Sequence, residues 1–408
     1  MARIKTALLM TVGTGGDKQE KKDSLAHGML QSIEALNPDF VIFFGSTASK
    51  ETIESLKKQY TEKYSTELDY KFHCIENVDD FDDYYLGFDN CIQTLKKENY
   101  KIVIDHTSGT KTMSMTAAIA AMVYGIKLYV IEGERRDGAI IKGTENIKGQ
   151  NLYLAYDKLI LDKVKELFNT NRFDSGLLLL EDLSGPNINK ETYKKLFKTY
   201  SFFDKVNYTE ALKNYDYKAF IEEFPQLQER LQNNMKALNI INEEEHKLKY
   251  YYILATIFNN ADRRAQEYKY DDAIARLYRS LELIAQIKLE KDYNLHASDI
   301  KTEKLTKLDP AYLSKLEAKK KDGKIKLGLT EDYTLLAKLN DNLGKYYMEN
   351  EKKILDKIKL RNNSILAHGL NYTTQEEYES FREYVYEFAC LLVNNFDNYL
   401  LETKFPLF

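Results

Sequence analysis

Ile102-Val103-Ile104-Asp105-His106-Thr107-Ser108-Gly109-Thr110-Lys111 leads directly into Thr112-Met113-Ser114-Met115-Thr116-Ala117-Ala118-Ile119-Ala120-Ala121-Met122-Val123-Tyr124. A short β-branched run stops at a polar turn containing glycine. An apolar stretch free of Gly and Pro follows. That order predicts a strand, a tight loop and a helix. The helical stretch is apolar nearly all round and is therefore expected to be buried.

The same unit recurs outward from this point. Residues 6–12 read as a strand ending in Gly13-Thr14-Gly15-Gly16. Residues 24–36 read as an amphipathic helix closed by Asn37-Pro38. Residues 40–44 form a second buried strand ending in Gly45-Ser46-Thr47, followed by a helix to about residue 61. A third strand is expected at 70–75, a helix at 80–97, a fifth strand at 127–131 and a trailing hairpin over 140–156. Strands alternating with helices predict a parallel, doubly wound sheet, so residues 1–156 are assigned a Rossmann-like α/β domain.

From residue 157 onward the pattern is helical throughout. Ser184-Gly185-Pro186 and Phe224-Pro225 punctuate a helical linker region over 157–250. In the last part, 251–408, residues 271–289 carry Ile274, Leu277, Leu281, Ile284 and Ala285 at helical spacing, and Lys288 interrupts the stripe. The Lys-rich stretch 301–328 is expected to be a mobile excursion. A long helix is expected over 343–368, stopping at Gly369. Thr374 and Glu377 have capping-box spacing and should open a last helix reaching about 401.

At 408 residues the chain allows two or three domains, and 43% apolar residues allow sizeable cores. A formal net charge of −4 argues against a broadly basic nucleic-acid coat, although a local basic site can hide inside it. Cys74, Cys91 and Cys390 are isolated and include no CxxC pair, which points away from a disulfide framework or a zinc cluster and toward a reducing cytoplasm. Residues 1–10 read as a first strand rather than a signal peptide. No apolar stretch approaches the ~18 residues of a membrane span.

Ligands of open parallel sheets bind beyond the carboxyl ends of the strands. The loops 13–16, 45–47 and 107–111 all sit there. Their glycines allow close backbone approach, their hydroxyls and helix N-termini suit phosphate or ribose oxygens, and Lys111 adds charge. Each loop alone can equally be a tight turn. Gly13-Thr14-Gly15-Gly16 is not GxGxxG, no acidic residue ends the second strand, and no Walker A loop is present, so redox chemistry and ATP hydrolysis are poorly supported.

A second constellation is Arg361-Asn362-Asn363-Ser364-Ile365-Leu366-Ala367-His368-Gly369. On one α-helix, residues seven apart face the same way. Histidine exchanges a proton near neutrality and arginine is a permanent cation matched to phosphate oxygens. Such a pair can activate a ribose 2′-hydroxyl and stabilise the phosphorane that forms, without a metal. Spacing alone favours a C-capping histidine beside a surface arginine. Arg279 and Glu282 read as an i,i+3 ion pair, with Arg276 on the same polar side. Arg263-Arg264 and Arg135-Arg136 read as solvated. His27, His73, His246 and His296 read as structural or exposed.

Asp105-His106-Thr107-Ser108-Gly109-Thr110-Lys111-Thr112-Met113 resembles the ligand loop of CARF domains. Leu277-Tyr278-Arg279-Ser280-Leu281-Glu282-Leu283 and Arg361 through Gly369 resemble the signature helices of HEPN domains. Together the two resemble the CRISPR-associated accessory ribonucleases of type III systems, of the Csm-six and Cas-02710 kind. The resemblance implies a CARF sensing domain at 1–156 and a HEPN ribonuclease domain at 251–408. It implies a cytoplasmic homodimer activated by a cyclic tetra- or hexa-adenylate lying on the two-fold axis, with no cofactor, no metal and no membrane. Paired HEPN motifs would cut single-stranded RNA and leave 2′,3′-cyclic phosphate ends. Carried onto this sequence, Arg361 and His368 would be catalytic and Asn362 would orient the site. Gly13, Thr14, Gly15, Ser46, Thr47, His106, Thr107, Ser108, Gly109, Thr110 and Lys111 would form the messenger pocket, and some relatives also degrade the messenger there. Two alternatives fit the residues: a non-catalytic cyclic-nucleotide sensor that recruits a partner through its helical domain, or another effector chemistry such as DNA cleavage or NAD breakdown.

Overall fold

The computed structural model describes residues 3–136, 139–141, 143–183, 185, 188–363, 366 and 369–408. The chain divides into two compact units, Met1–Leu159 and Ile160–Phe408.

In the first unit the elements run β1 (Thr6–Thr11), α1 (Gln19–Leu36), β2 (Phe40–Gly45), α2 (Lys50–Tyr64), β3 (Tyr70–Cys74), α3 (Phe81–Lys97), β4 (Lys101–Asp105), α4 (Lys111–Tyr124) and β5 (Lys127–Glu132). Three short strands follow: β6 (Arg135–Arg136), β7 (Ala139–Ile140) and β8 (Asn146–Gln150). The main sheet has the order β3-β2-β1-β4-β5-β8. Strands β1 to β5 are parallel, and β8 runs antiparallel along β5 with Ile147 opposite Ile131. The expected parallel doubly wound sheet is therefore present, with one antiparallel edge strand added. The expected trailing hairpin over 140–156 is corrected. β7 pairs back with β6, β8 joins the sheet edge, and a helix starts at Tyr153.

β1 and β2 are buried along almost their whole length, because helices cover both faces. Leu9, Ile42, Phe44 and Ile104 pack on the α3 and α4 side, and Leu8, Met10, Val41 and Phe43 pack on the α1 and α2 side. α4 is less buried than its composition implied. Met113, Ala117, Ala120 and Ala121 face the sheet, whereas Met115 and Val123 are about half exposed, as is Leu86 on α3. A helix that is apolar all round still shows the sheet only one face.

The second unit contains, in chain order, α5 (Tyr153–Asn169, which begins in the first unit), α6 (Phe173–Leu179), α7 (Lys190–Asp204), α8 (Tyr208–Asn214), α9 (Tyr217–Glu223), α10 (Gln228–Asn242), α11 (Lys249–Gln266), α12 (Tyr270–Tyr293), α13 (Pro310–Glu317), α14 (Leu329–Lys338), α15 (Asn342–Asn363), α16 (Gln375–Leu392) and α17 (Phe396–Thr403). Phe168, Phe173, Phe197 and Tyr200 build one core, closed by Phe405 and Phe408 from the end of the chain. The Asn234 amide donates to the Glu402 and Lys404 carbonyls at 2.9 and 3.0 Å, and the Phe408 N–H donates to Asn169 Oδ1 at 2.8 Å. The chain end is thereby pinned to the helices before α11.

A second core gathers α11, α12, α14, α15 and α16. Leu277, Leu281 and Ile284 of the α12 stripe lie in it. Tyr333 stacks on Tyr347 at 4.6 Å and meets Phe388 edge-on at 5.2 Å, while its hydroxyl donates to the Leu281 carbonyl at 2.9 Å. This is the geometry by which a buried tyrosine keeps both ring and hydroxyl satisfied.

Three element expectations are corrected in this unit. The helix expected over 343–368 ends at Asn363, and Leu366 lies in a turn. The stretch 301–328 is not an excursion. Leu305, Leu316 and Ile325 are buried, the Ile300 N–H donates to the Ile325 carbonyl at 2.8 Å, and the Leu327 N–H donates to the Ala297 carbonyl at 3.0 Å. Its lysines line the outside of a segment held by few, widely spaced apolar residues. The last helix does open on the Thr374–Glu377 capping box, but it ends at Leu392. Asn395 takes a left-handed conformation (φ 57°) and α17 starts afresh.

Candidate functional site

In the first unit the chain begins at the central strand β1, runs outward through β2 and β3, and returns to β4 on the other side of β1. The switch in strand order thus lies between β1 and β4, where open sheets hold ligands. The loops after these two strands touch. The Gly13 N–H donates to Ser108 Oγ at 2.9 Å, and a Cβ on Gly13 would stand 3.0 Å from the Gly109 nitrogen. The Thr11 hydroxyl donates to the Ser108 carbonyl. Gly109 has φ +125°, and a Cβ there would meet Met113 Sδ at 2.6 Å, so only glycine fits.

Beneath this loop the Asp105 carboxylate is fully buried. The Ser32 hydroxyl donates to it, and the Thr107 N–H donates to it at 2.7 Å. Burial pushes this carboxyl above its ordinary value, against those hydrogen bonds. The Thr107 hydroxyl accepts from the Ile131 N–H at 2.8 Å. Two of the predicted pocket hydroxyls, Thr107 and Ser108, are therefore engaged in shaping the loop. Thr110 caps α4, accepting from the Met113 N–H at 3.3 Å. Lys111 is exposed at the first position of that helix, whose free N–H groups favour an anion.

The third loop joins through residues that the sequence reading missed. Ser49 donates to the Val12 carbonyl at 2.8 Å, and Thr52 donates to the Gly13 carbonyl at 3.0 Å. The signal was the hydroxyl-rich run Ser46-Thr47-Ala48-Ser49-Lys50-Glu51-Thr52. Ser46 lies 3.4 Å from Ser49, and Thr47 lies 3.3 Å from Cys74. Thr14 and Thr47 are exposed, and Gly15 has φ +69°. His106 is half-buried. Both its ring nitrogens are enclosed without a hydrogen-bond partner, and burial holds the imidazole below its ordinary value despite the neighbouring Asp105.

In the second unit α15 carries Arg361 and Asn362 in its last turn. Asn362 is exposed, Leu366 is in a turn and Gly369 follows in irregular chain. The Arg361 side chain and His368 lie outside the described residues. The other basic candidates are spent internally. Arg279 donates to Glu282 and to Gln286, both at 3.1 Å, as the i,i+3 spacing implied. Arg276 donates to Asn260 and to the Asp272 carbonyl.

Arg263 and Arg264 are a correction. They are not solvated but converge on Asp204 at 2.8 and 2.6 Å, with Arg263 lying over the Phe405 ring at 3.7 Å. The side chains of Arg135 and Arg136 lie outside the described residues. His27 meets Glu145 at 3.1 Å, His73 stacks on Phe44 at 5.0 Å, and the His246 Nδ1 accepts from the Leu248 N–H at 3.1 Å. His296 is exposed, 3.8 Å from Glu290. Among the described residues no group of three or more His, Cys, Asp or Glu side chains is placed to hold a metal, and no helix is long and apolar enough to cross a membrane.

Comparison with known proteins bears on both units. The family model for the Csm6 6H domain matches residues 156–251, and that for the Csm6 HEPN domain matches residues 242–392. No curated protein matches. Among solved structures the chain resembles Enterococcus italicus Csm6 bound to cyclic hexa-2′-fluoro-hexa-dAMP, at 15% identity, over 97% of each chain, with a TM-score of 0.66. That likeness shows a shared fold, from the mixed N-terminal sheet through the helical remainder. Because two models of one family account for 156–392 and the N-terminal sheet belongs to the same shared fold, the chain belongs to the Csm6 family of CRISPR accessory ribonucleases.

Proposed function

We propose that the chain is a single-stranded RNA endonuclease of type III CRISPR defence, switched on by a cyclic tetra- or hexa-adenylate and needing no metal. The observation that carries this reading is the Csm6 HEPN match over 242–392, which encloses Arg361-Asn362-Asn363-Ser364-Ile365-Leu366-Ala367-His368-Gly369. The division of labour is sensing by 1–156, linkage by 157–250 and cutting by 251–408, in the cytoplasm.

In the cut, the ribose 2′-oxygen bonds to phosphorus, its proton passes to a base, and the P–O5′ bond breaks as that oxygen takes up a proton. The products are a 2′,3′-cyclic phosphate and a 5′-hydroxyl. His368 moves the proton and Arg361 stabilises the charge on the phosphorane, with Asn362 orienting the site. Each chain carries one such motif, so a homodimer brings two to a composite site. The apolar residues Met115, Val123 and Leu86 on the open face of α3 and α4 support pairing of the sensing domains.

The messenger is assigned to the switch point between β1 and β4. The bound ligand of the Enterococcus italicus protein supports that class of molecule. Gly13, Thr14, Gly15, Ser46, Thr47, His106, Gly109, Thr110 and Lys111 are the residues proposed to meet it, with Thr107 and Ser108 setting the loop. A switch from 1:99 to 99:1 needs a ligand that favours the cutting state by about 5.5 kcal/mol.

Lys111→Ala is expected to raise the messenger concentration for half-maximal cutting about tenfold, the cost of one charged hydrogen bond, and to leave the rate at saturation unchanged. Gly109→Ala is expected to shift it further in the same direction, because a Cβ strains the loop at φ +125°. Titrating cyclic oligoadenylates against cleavage of a fluorescent RNA reads both. A lowered rate at saturation with unchanged half-maximal concentration contradicts this role for the loop.

A further inference from the structure

The loop that leaves the HEPN motif is anchored beside an open cleft for which the proposed mechanism has no use. The Thr373 hydroxyl donates to Asp271 in the first turn of α12, and Thr374 caps α16. Gln375, which lines the cleft, lies seven positions beyond His368, so at most ~25 Å of extended chain separates the cleft wall from the motif.

The cleft has a volume of about 610 Å³, in the range of small-molecule sites. Gln266, Tyr268, Tyr270, Gln375, Tyr378 and Glu379 line it. Its floor is fixed. Arg382 forms a two-pronged pair with Asp262 at 2.6 and 2.8 Å, the Tyr378 hydroxyl donates to the same carboxylate, and the Tyr270 and Tyr378 rings lie 6.1 Å apart. Its rim carries Tyr268. Tyr268 is 82% exposed and takes the left-handed conformation (φ +60°) that ends α11. Its backbone is locked there by N–H donation to the Ala265 carbonyl at 2.9 Å and by the Lys269 N–H to the Arg264 carbonyl at 2.9 Å.

The charges in the cleft decide what it can take. Asp262 and Glu379 are acidic, and Arg382 is already committed to Asp262, so phosphate gains nothing there. A planar base does gain. An exposed phenol offers a stacking face for any base, and carboxylate and amide side chains meet the hydrogen-bonding edge of a base. Gln375 donates to Glu379 at 2.8 Å and accepts from Tyr270 at 3.3 Å, which keeps these groups ordered at the cleft wall.

We propose that this cleft is a nucleobase subsite for the RNA substrate, in which a base flanking the cut stacks on Tyr268 and presents its edge to Gln266, Gln375 and Glu379. This rests on the RNA-cutting reading above and adds to it where the strand runs and which residue grips it.

The test uses full-length protein and two readouts. The first is binding of single-stranded RNA carrying 2-aminopurine to the His368→Ala variant, where stacking quenches the fluorescence. The second is kcat and KM for RNA cleavage at saturating messenger. Tyr268→Ala is expected to weaken binding and raise KM by roughly 5- to 150-fold, the range of one base–aromatic stack, with kcat changed little. Tyr268→Trp is expected to restore both. Equal quenching by His368→Ala with and without Tyr268→Ala, and equal KM in wild type and Tyr268→Ala, would overturn the proposal. Absence of cutting by wild-type protein with every messenger overturns the RNA-cutting reading instead, and the binding readout still tells the two failures apart.

Discussion

Replacing His368 with alanine is expected to lower RNA cleavage by roughly 10²- to 10⁴-fold at saturating messenger, the usual contribution of a positioned proton-transfer group. The imidazole is the only group of the 361–369 motif able to take and return a proton near neutrality. Arg361→Ala should lose a comparable factor by removing the cation that meets the phosphorane. The double variant should be little worse than either single one, because two groups serving one transition state are strongly non-additive. Messenger binding, followed by the concentration that half-saturates the sensing domain, should not change. A His368→Ala protein that cuts at the wild-type rate would leave the chain a sensor that recruits its effect from elsewhere.

The second large effect concerns Asp332 in the HEPN core. Its side chain is 1% exposed, its Oδ1 has no hydrogen-bond partner, and it neighbours Glu282 on α12. Burial first, and the Glu282 charge second, push its carboxyl up to about 7 from the ordinary 3.8. The folded protein therefore holds a proton that the unfolded chain releases. Stability is full below pH 3.8, falls as pH rises from 3.8 to about 7, and is flat above. The loss amounts to about 4 kcal/mol. Asp332→Asn keeps the shape and removes the titration, so it should stabilise the protein by up to about 4 kcal/mol at pH 8 and by almost nothing at pH 4. Denaturant unfolding at pH 4, 6 and 8 measures the difference. A wild-type-minus-variant gap that does not grow with pH would contradict the buried, proton-holding state of this carboxyl.

The residues show which features a sequence can announce. Strands β1, β2 and β4 were legible because each is a short apolar run closed by glycine or a polar turn, and the α16 start was legible because Thr374 and Glu377 have capping spacing. β8 was not, since Asn146-Ile147-Lys148-Gly149-Gln150 has little apolar character and gains its place only by pairing with β5. The fold of 301–328 was hidden because Leu305, Leu316 and Ile325 are spaced too widely to show a period among lysines. The break before α17 involves neither Gly nor Pro. It rests on a left-handed Asn395, and asparagine tolerates that conformation without announcing it.

In the candidate messenger site the three loops could be located one by one. Their joining could not, because the Gly13–Ser108 and Thr52–Gly13 contacts cross 95 and 39 residues and exist only once β4 and β2 lie on either side of β1. The same holds for Arg263 and Arg264, whose carboxylate partner lies 59 and 60 residues earlier in α7. Tyr268 carried no sequence signal at all. Its meaning comes from an exposed ring beside a cleft.

The most direct measurement is cleavage of a fluorescent single-stranded RNA by the purified full-length chain in excess EDTA, with and without cyclic tetra-adenylate and cyclic hexa-adenylate. Rapid cutting that appears only with one of the two rings, survives EDTA and leaves 2′,3′-cyclic phosphate ends is the expected result. Equal rates with and without both rings, or cutting that EDTA abolishes, would contradict a messenger-gated ribonuclease built on Arg361 and His368.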